Sequence, residues 1–220
     1  MKARCFLRKL AGENIWNKRY ILAVLLVSAS VLVIGAILWS SGTQRVTPDV
    51  ACTGWCRGAE TPAVVIDSYP DFECPACVSK EILIMQALGI YPDQVRHDYH
   101  HYPYSEFSQK LAEALEAAGE QGMFWELHDR FLEDVPGDMN ELLDMAEDIG
   151  LDMGIFTDSL YSGRFSDKVI ADKVLAVSSG VRHVSVFING KEYKGASDSF
   201  ADLCNAIDEE LERMGVDDGN

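Results

Sequence analysis

Two cysteines separated by two residues are the feature of this sequence best suited to chemistry. Cys74 and Cys77 lie in the segment DFECPAC (71–77), which follows the apolar run AVVI (63–66). A β-branched run, a short turn and a Cys-x-x-Cys pair at the start of a helix are typical of a redox site. The pattern therefore predicts reversible disulfide chemistry at this pair.

The spacing assigns a different role to each cysteine. Cys74 is predicted at a helix N-terminus, where free backbone N–H groups and the helix dipole stabilise a thiolate. A thiolate attacks disulfides, and the Cys77 thiol on the same turn can close the ring again. Pro75 suits the first helical turn, because it has no N–H group to leave unpaired.

A structural zinc site is the competing interpretation, since Cys-x-x-Cys also begins many zinc knuckles. Cys52, Cys56, Cys74 and Cys77 offer four ligands, but a zinc ion held by all of them would remove the redox pair. Export from the cytoplasm favours disulfides over such metal sites. We therefore predict no metal and no other cofactor.

The N-terminal segment supplies the argument for export. Residues 20–39 carry no charge and span roughly 30 Å as a helix, enough to cross a bilayer. The 19 residues before them hold six basic residues and a single acidic one, Glu13, which predicts a cytoplasmic N-terminus. A cleaved signal peptide is the alternative, but the apolar run is long and Leu38–Gly42 matches a cleavage site poorly. We predict a single-pass anchor in the cell membrane, with the domain outside the cytoplasm.

The charge of the exported part limits its partners. Beyond residue 40 the chain has 13 Lys and Arg against 34 Asp and Glu, a formal charge of −21. Such a surface repels nucleic acid and anionic lipid headgroups, so a nucleic-acid role is excluded.

Four further cysteines accompany the redox pair. Cys52 and Cys56 form a Cys-x-x-x-Cys loop near the start of the exported domain. A structural disulfide, a second redox pair that feeds Cys74 and Cys77, pairing with Cys204 and half of a metal site all remain open. Cys5 lies on the predicted cytoplasmic side.

The remaining pattern predicts the elements that position the pair. Strands are expected at about 63–69, at 94–102 and at 184–188, and the dipeptide Asn189-Gly190 predicts a hairpin that returns over 191–194. Helices are expected from Cys74 to about Leu88, through the region from about 105 to 178, and from about 198 to 214. The order is β-α-β, helices, β-β-α.

Three stretches make this chain resemble the DsbA-like thiol–disulfide oxidoreductases. They are DFECPAC (71–77), AAGEQGMFWELHD (117–129) and VFINGK (186–191), in the same order as in that family. The resemblance covers about 62–212. It implies an α/β thioredoxin fold with an inserted helical domain, Cys74 as the attacking cysteine and Cys77 as the buried resolving one.

The chain departs from this family in the loop that faces the cysteine pair. Relatives carry a cis-proline before the third strand, whereas this chain reads GVRHVSVF (180–187). Val184 or Ser185 stands at the proline position, depending on where the alignment is anchored. A cis bond without proline costs about 2.5–4 kcal/mol, so we expect a trans loop. His183 is expected near Cys74, either as a cation that stabilises its thiolate or as an ordinary loop residue.

The sequence thus predicts a membrane-tethered oxidoreductase that exchanges disulfides with exported proteins and is recycled by a membrane redox partner. The alternative is a thioredoxin-fold binding module, for a metal or a partner protein, that has lost its substrate loop. The expected organisation is a basic cytoplasmic tail (1–19), an anchor preceding the domain (20–39), a tether with Cys52 and Cys56 (40–61), the thioredoxin core (62–104 and 179–214) and the helical insertion (105–178).

Overall fold

A five-stranded mixed sheet carries the cysteine pair. The computed structural model describes residues 51–216, so the predicted tail and anchor at 1–39 lie outside the described residues. The strands are β1 (Trp55–Gly58), β2 (Val64–Tyr69), β3 (Val95–Tyr99), β4 (Ser185–Ile188) and β5 (Lys191–Glu192). They lie in the order β1-β3-β2-β4-β5, in which only β2 and β3 are parallel.

Seven helices complete the described part. They are α1 (Pro75–Ile90), α2 (Glu106–Glu120), α3 (Phe124–Glu133), α4 (Met139–Asp148), α5 (Met153–Tyr161), α6 (Ser166–Ser178) and α7 (Phe200–Met214). None of these seven has both the length and the apolar character that a membrane crossing requires.

Helices α1 and α7 cover one face of the sheet. Ile66 on β2 and Ile188 on β4 point to this face, where Ile84 of α1 and Ile207 of α7 are buried with them. Tyr69 and Phe187 point to the other face by strand alternation and pack near Ala176 of α6. The crossover from β3 to β4 contains α2–α6, which confirms the thioredoxin fold with a helical insertion.

The insertion has its own apolar core. Leu111, Leu115, Phe124, Phe131 and Phe156 are almost fully buried in it. Phe72 and Tyr99 from the sheet side join the same cluster, so the insertion is packed directly against the cysteine turn.

The hairpin predicted at Asn189-Gly190 is present. Both residues have positive φ, 47° and 77°, as a type I′ turn requires, and β4 pairs with β5 across them. The Asn189 side chain also accepts a hydrogen bond from Val65 N at 2.9 Å, which ties the turn to β2.

The segment expected as a tether contains a strand. Trp55–Gly58 pairs antiparallel with β3, with Trp55 opposite Tyr99 and Cys56 opposite Asp98. The strand is only four residues long and its partner lies about 40 positions away, so local patterning could not reveal it. The second strand also differs from its expected range, since β3 ends at Tyr99 and not at Tyr102.

Candidate active site

A turn built around Asp71 presents the cysteine pair. The Asp71 carboxylate accepts hydrogen bonds from Glu73 N at 2.8 Å and from Tyr104 N at 2.7 Å. The backbone N–H of Cys74 donates to Asp71 O at 3.0 Å. Short side chains of this kind commonly fix turns by bonding nearby backbone N–H groups. Asp71 therefore holds the chain where it passes from β2 into α1.

Cys74 is the N-cap residue of α1. Its Sγ accepts from Cys77 N at 3.3 Å, and Pro75 occupies the first helical position. Cys74 is half-buried, whereas Cys77 is 8% exposed. The two form a disulfide with their Cα atoms 5.3 Å apart. Once this bond is reduced, the helix N-terminus favours a thiolate on Cys74, the more accessible sulfur.

The cysteine pocket lies in front of this disulfide and has a volume of about 210 Å³. Its lining residues are Tyr69, Pro70, Cys74, Ala76, Cys77, Lys80, Glu81, Val184, Ser185 and Val186. The predicted substrate loop thus contributes Val184 and Ser185 to the same pocket as both cysteines.

His183 lies outside the residues that line the cysteine pocket. Its side chain is exposed, its Nδ1–H donates to Val184 O at 3.0 Å, and its Nε2 lies 3.5 Å from Glu192 Oε1. Of the two expected roles, this placement favours an ordinary loop residue over a cation beside Cys74.

The loop is held without proline. No cis peptide bond occurs within residues 51–216. Ser185 is the first residue of β4, opposite Tyr69, and its hydroxyl donates to His183 O at 2.8 Å. Ser185 therefore supports the loop through a hydrogen bond that proline could not make.

Glu81 is a site residue that the sequence analysis missed. It lies one turn after Cys77 on α1, is 1% exposed and lines the cysteine pocket. Its Oε2 lies 3.4 Å from both His97 Nε2 and His128 Nε2. The sequence held one signal for this residue: it is a carboxylate four residues after Cys77, among apolar positions of the helix. A charge buried at such a position needs polar partners, so it is a candidate site residue.

The three buried groups shift one another's protonation. Burial alone would raise the pKa of Glu81, but electrostatic attraction to His97 and His128 outweighs it and lowers that pKa. Burial lowers the pKa of His97 to about 4, against the attraction of Glu81. Burial also disfavours charged His128, yet its contacts with Asp129 and Glu81 raise its pKa overall. Near neutral pH, Glu81 is anionic and His97 is neutral.

Cys52 and Cys56 form a second disulfide, with their Cα atoms 6.0 Å apart. Cys204 is a free cysteine and is not its partner here. The loop directs Trp55 into the insertion, where its ring stacks on Phe124 at a centroid distance of 4.1 Å. A side chain at Gly119 would overlap the Trp55 ring, so this contact needs glycine. The geometry supports the structural interpretation of this disulfide.

Glu116 connects the same tryptophan to the helices. Its Oε1 accepts from Trp55 Nε1 at 2.8 Å, from His101 Nε2 at 2.7 Å and from Lys168 Nζ at 2.5 Å. Burial would raise the pKa of Glu116, but the hydrogen bonds from His101 and Lys168 hold it at about 2. His101, Glu116 and Asp172 are spaced as a metal site would be. The Lys168 ammonium already supplies the positive charge there, so the cluster is better explained as an ion-pair network.

Comparison with known proteins agrees with this architecture. The family model described as thioredoxin matches residues 51–209. The Na⁺/H⁺ antiporter NhaA 3 of Salinispora tropica is 36% identical over 147 residues, 63% of this chain. The chain spans only 22% of the length of that antiporter. The probable disulfide bond formation protein D of Bacillus anthracis is 26% identical over 219 residues, 90% of this chain and 98% of the relative.

Solved structures share the fold. BdbD from Bacillus subtilis, in its oxidised form, has a TM-score of 0.63 at 18% identity, covering 71% of this chain and 92% of its own. The α-DsbA1 protein of Wolbachia pipientis has a TM-score of 0.64 at 16% identity, with 72% and 91% covered. The chain therefore belongs to the thioredoxin family, with the architecture of its DsbA-like thiol–disulfide oxidoreductases.

Proposed function

We propose that this protein exchanges disulfides with exported proteins through Cys74 and Cys77. The observation that carries the proposal is the asymmetry of the pair. Cys74 is half-exposed at a helix N-terminus, and Cys77 is buried one turn further along the same helix. This arrangement suits attack at one sulfur and resolution by the other.

In the oxidising direction, a substrate thiolate attacks Cys74 Sγ. The Cys74–Cys77 bond breaks, a mixed disulfide forms, and the Cys77 sulfur leaves with the electron pair and takes up a proton. A second substrate thiolate then attacks the substrate sulfur of the mixed disulfide and releases Cys74 as a thiolate. The substrate loses two electrons and the cysteine pair gains them. The same exchanges in reverse order reduce a substrate disulfide.

Glu81 suits the proton transfer at Cys77. A carboxylate in the same pocket accepts the Cys77 proton when this cysteine becomes a nucleophile and returns it when Cys77 is a leaving group. Both groups have little contact with bulk solvent, which favours a protein group as the proton acceptor.

The cellular setting is part of the proposal. An uncharged span at 20–39 behind a basic segment supports a domain tethered outside the cytoplasm. A thiol–disulfide enzyme in that compartment needs a partner that restores its redox state, and a membrane protein beside the anchor is the partner we propose.

Trapping experiments on the full chain test the function. Cys77→Ser should accumulate a mixed disulfide between Cys74 and a disulfide-containing substrate, because the resolving thiol is gone. Cys74→Ser should form none and should lose insulin reduction and oxidative refolding activity. A wild-type protein that catalyses neither reaction would refute the proposed function.

The missing proline favours one other candidate, a binding module for a metal or a partner protein. The loop at 183–185 contains no proline, although Val184 and Ser185 line the cysteine pocket. Stoichiometric metal on the cysteines of freshly purified protein, without exchange activity, would support that candidate instead.

A further inference from the structure

The fate of the Cys77 proton beyond Glu81 is the open step of the proposed chemistry. Cys77 and Glu81 are 8% and 1% exposed, so a proton transferred between them has little direct contact with bulk solvent. Repeated turnover requires that this proton reach solvent, or return from it, through another group. Two imidazoles, His97 and His128, contact the Glu81 carboxylate.

His97 offers no onward route for a proton from Glu81. Its Nε2 is 2.7 Å from the Ser68 hydroxyl, and its Nδ1 is buried with no hydrogen-bond partner among the described residues. A proton that entered the His97 imidazole would find no acceptor at Nδ1 among the described residues. The depressed pKa of His97, which burial holds at about 4, also disfavours the imidazolium there.

His128 connects Glu81 to the surface. Its Nε2 faces Glu81 Oε2 at 3.4 Å, and neither atom has a hydrogen bond to any described group. Its Nδ1 lies 3.1 Å from Asp129 Oδ1, and the Asp129 side chain is 43% exposed. One imidazole thus bridges a buried carboxylate and a solvated one.

Arg57 holds the outer end of this bridge. Its Nη1 lies 2.8 and 2.7 Å from the two Asp129 oxygens, and its guanidinium lies 5.6 Å from the centre of the Trp125 ring. Arg57 directly follows Cys56, so the second disulfide restrains the strand that presents it. The arginine fixes the carboxylate orientation that lets Asp129 face His128.

We propose that Glu81, His128 and Asp129 form a proton path between Cys77 and solvent at the Arg57 surface. The proposal rests on the proposed function. Ring closure is the formation of the Cys74–Cys77 disulfide from the mixed disulfide. In this step Cys77 gives its proton to Glu81 and attacks Cys74 Sγ. The bond from Cys74 to the substrate sulfur breaks, and that sulfur leaves as a thiolate. Glu81 passes the proton to His128 Nε2, and His128 releases the Nδ1 proton through Asp129 to water. In ring opening the same steps run backwards and return the proton to Cys77.

The groups that face the path are few. Glu81 on α1 faces His97 on β3 and His128 on α3, with Lys80 at the pocket wall. His128 is otherwise surrounded by rings, namely those of Phe72, His97, Tyr99, Phe124 and Trp125. Asp129 faces Arg57 and His128. The pH dependence of ring closure should therefore respond to Asp129 specifically.

The test follows ring closure in the full-length protein. The reduced protein reacts with glutathione disulfide, and acid quenching with mass spectrometry separates mixed disulfide formation at Cys74 from closure by Cys77. Asp129→Asn should slow closure by about tenfold near neutral pH and change its pH profile, whereas formation of the mixed disulfide should keep its rate. Asp129→Glu should restore the wild-type profile. Glu133→Gln removes an exposed carboxylate from the same helix and serves as the matched control.

The outcomes separate the path from the function. Wild-type closure and an unchanged pH profile in folded Asp129→Asn would overturn the path while leaving disulfide exchange intact. His128→Gln should slow closure in the same way, and if it does not fold, the Asp129 series decides alone. A wild-type protein that forms no mixed disulfide at Cys74 would instead refute the proposed function.

Discussion

At the scale of single residues, position along one helix separates two chemically identical thiols. Cys74 caps α1 and is half-buried, whereas Cys77 lies inside the first turn and faces the pocket shared with Glu81. A helix carries unpaired N–H groups only at its N-terminus, and a sulfur at the N-cap position lies in front of them, so a displacement of three residues changes the stability of a thiolate.

This asymmetry predicts the order of alkylation. In the reduced protein near neutral pH, iodoacetamide should label Cys74 first, because its sulfur is the more accessible and the better stabilised as a thiolate. Peptide mapping by mass spectrometry after short exposure measures the order. Faster labelling of Cys77 would contradict the assignment.

His97 predicts a pH dependence of stability. Its pKa falls from 6.5 to about 4 in the folded protein because of burial, so the folded state binds fewer protons than the unfolded state between these values. The contribution of His97 to stability is complete above pH 6.5 and is lost as the pH falls to about 4, a loss of about 3 kcal/mol.

Two measurements check the His97 prediction. The imidazole resonances of His97 should titrate near pH 4 in NMR spectra, and His97→Asn should flatten the fall in unfolding free energy on acidification. His100→Gln, which changes a partly exposed histidine three residues away, is the control. A midpoint near 6.5 for His97 would disprove the shift.

At the scale of elements, short segments outside the helices shape the site. The loop before β4 brings Val184 and Ser185 into the cysteine pocket, and Ser185 stabilises it by donating to His183 O. The strand β1 carries the second disulfide and inserts Trp55 between the sheet and the insertion.

Restoring proline in the loop should strengthen exchange with protein substrates. Val184→Pro changes the residue just before β4, whereas Ser185→Pro also removes the hydroxyl that bonds His183 O. We therefore expect a gain in insulin reduction or oxidative refolding from Val184→Pro and a smaller gain, or a loss, from Ser185→Pro. Rates with dithiothreitol serve as the control, and the absence of a gain in either variant would argue against a substrate role for the loop.

Removing the second disulfide should cost stability and leave the chemistry at Cys74 in place. Closing a five-residue loop restricts the unfolded chain by about 2 kcal/mol, so Cys52→Ser with Cys56→Ser should lower the free energy of unfolding by about that amount. Cys204→Ser, which removes a free thiol, is the control for cysteine replacement. Loss of mixed disulfide formation at Cys74 in the double variant would instead support a redox relay between the pairs.

At the scale of the whole molecule, the acidic part beyond residue 40 and the basic N-terminal segment have opposite charge. The formal charge of the chain is −16, although the segment before the apolar run is strongly basic. This separation of charge supports the proposed tethered domain, because basic residues beside an apolar span remain on the cytoplasmic side of the membrane.

Fractionation tests the whole-molecule proposal. The full chain should remain in the membrane fraction after washing with salt and carbonate, because an apolar span holds more strongly than surface charge. Added protease outside the cytoplasm should degrade the domain. A soluble mature form that begins near Ser40 or beyond would identify the segment as a signal peptide instead.

The sequence by itself determined the features that depend on neighbours within a few positions. The Asn189-Gly190 turn, the helix that starts at the Cys-x-x-Cys pair and the last helix, expected at about 198–214, lie where the sequence predicts them. Turn geometry, N-terminal helix chemistry and helical periodicity are all local, so the residues involved carry the information themselves.

Only the tertiary structure decided which distant residues meet. Arg57, Glu81 and His128 come from β1, α1 and α3, and nothing within any one of these segments indicates that the three meet. Strand β1 likewise becomes visible only through its pairing with β3. A buried carboxylate is stabilised by polar partners that tertiary packing brings from other elements. The spacing of residues along the sequence does not show which distant side chains become those partners.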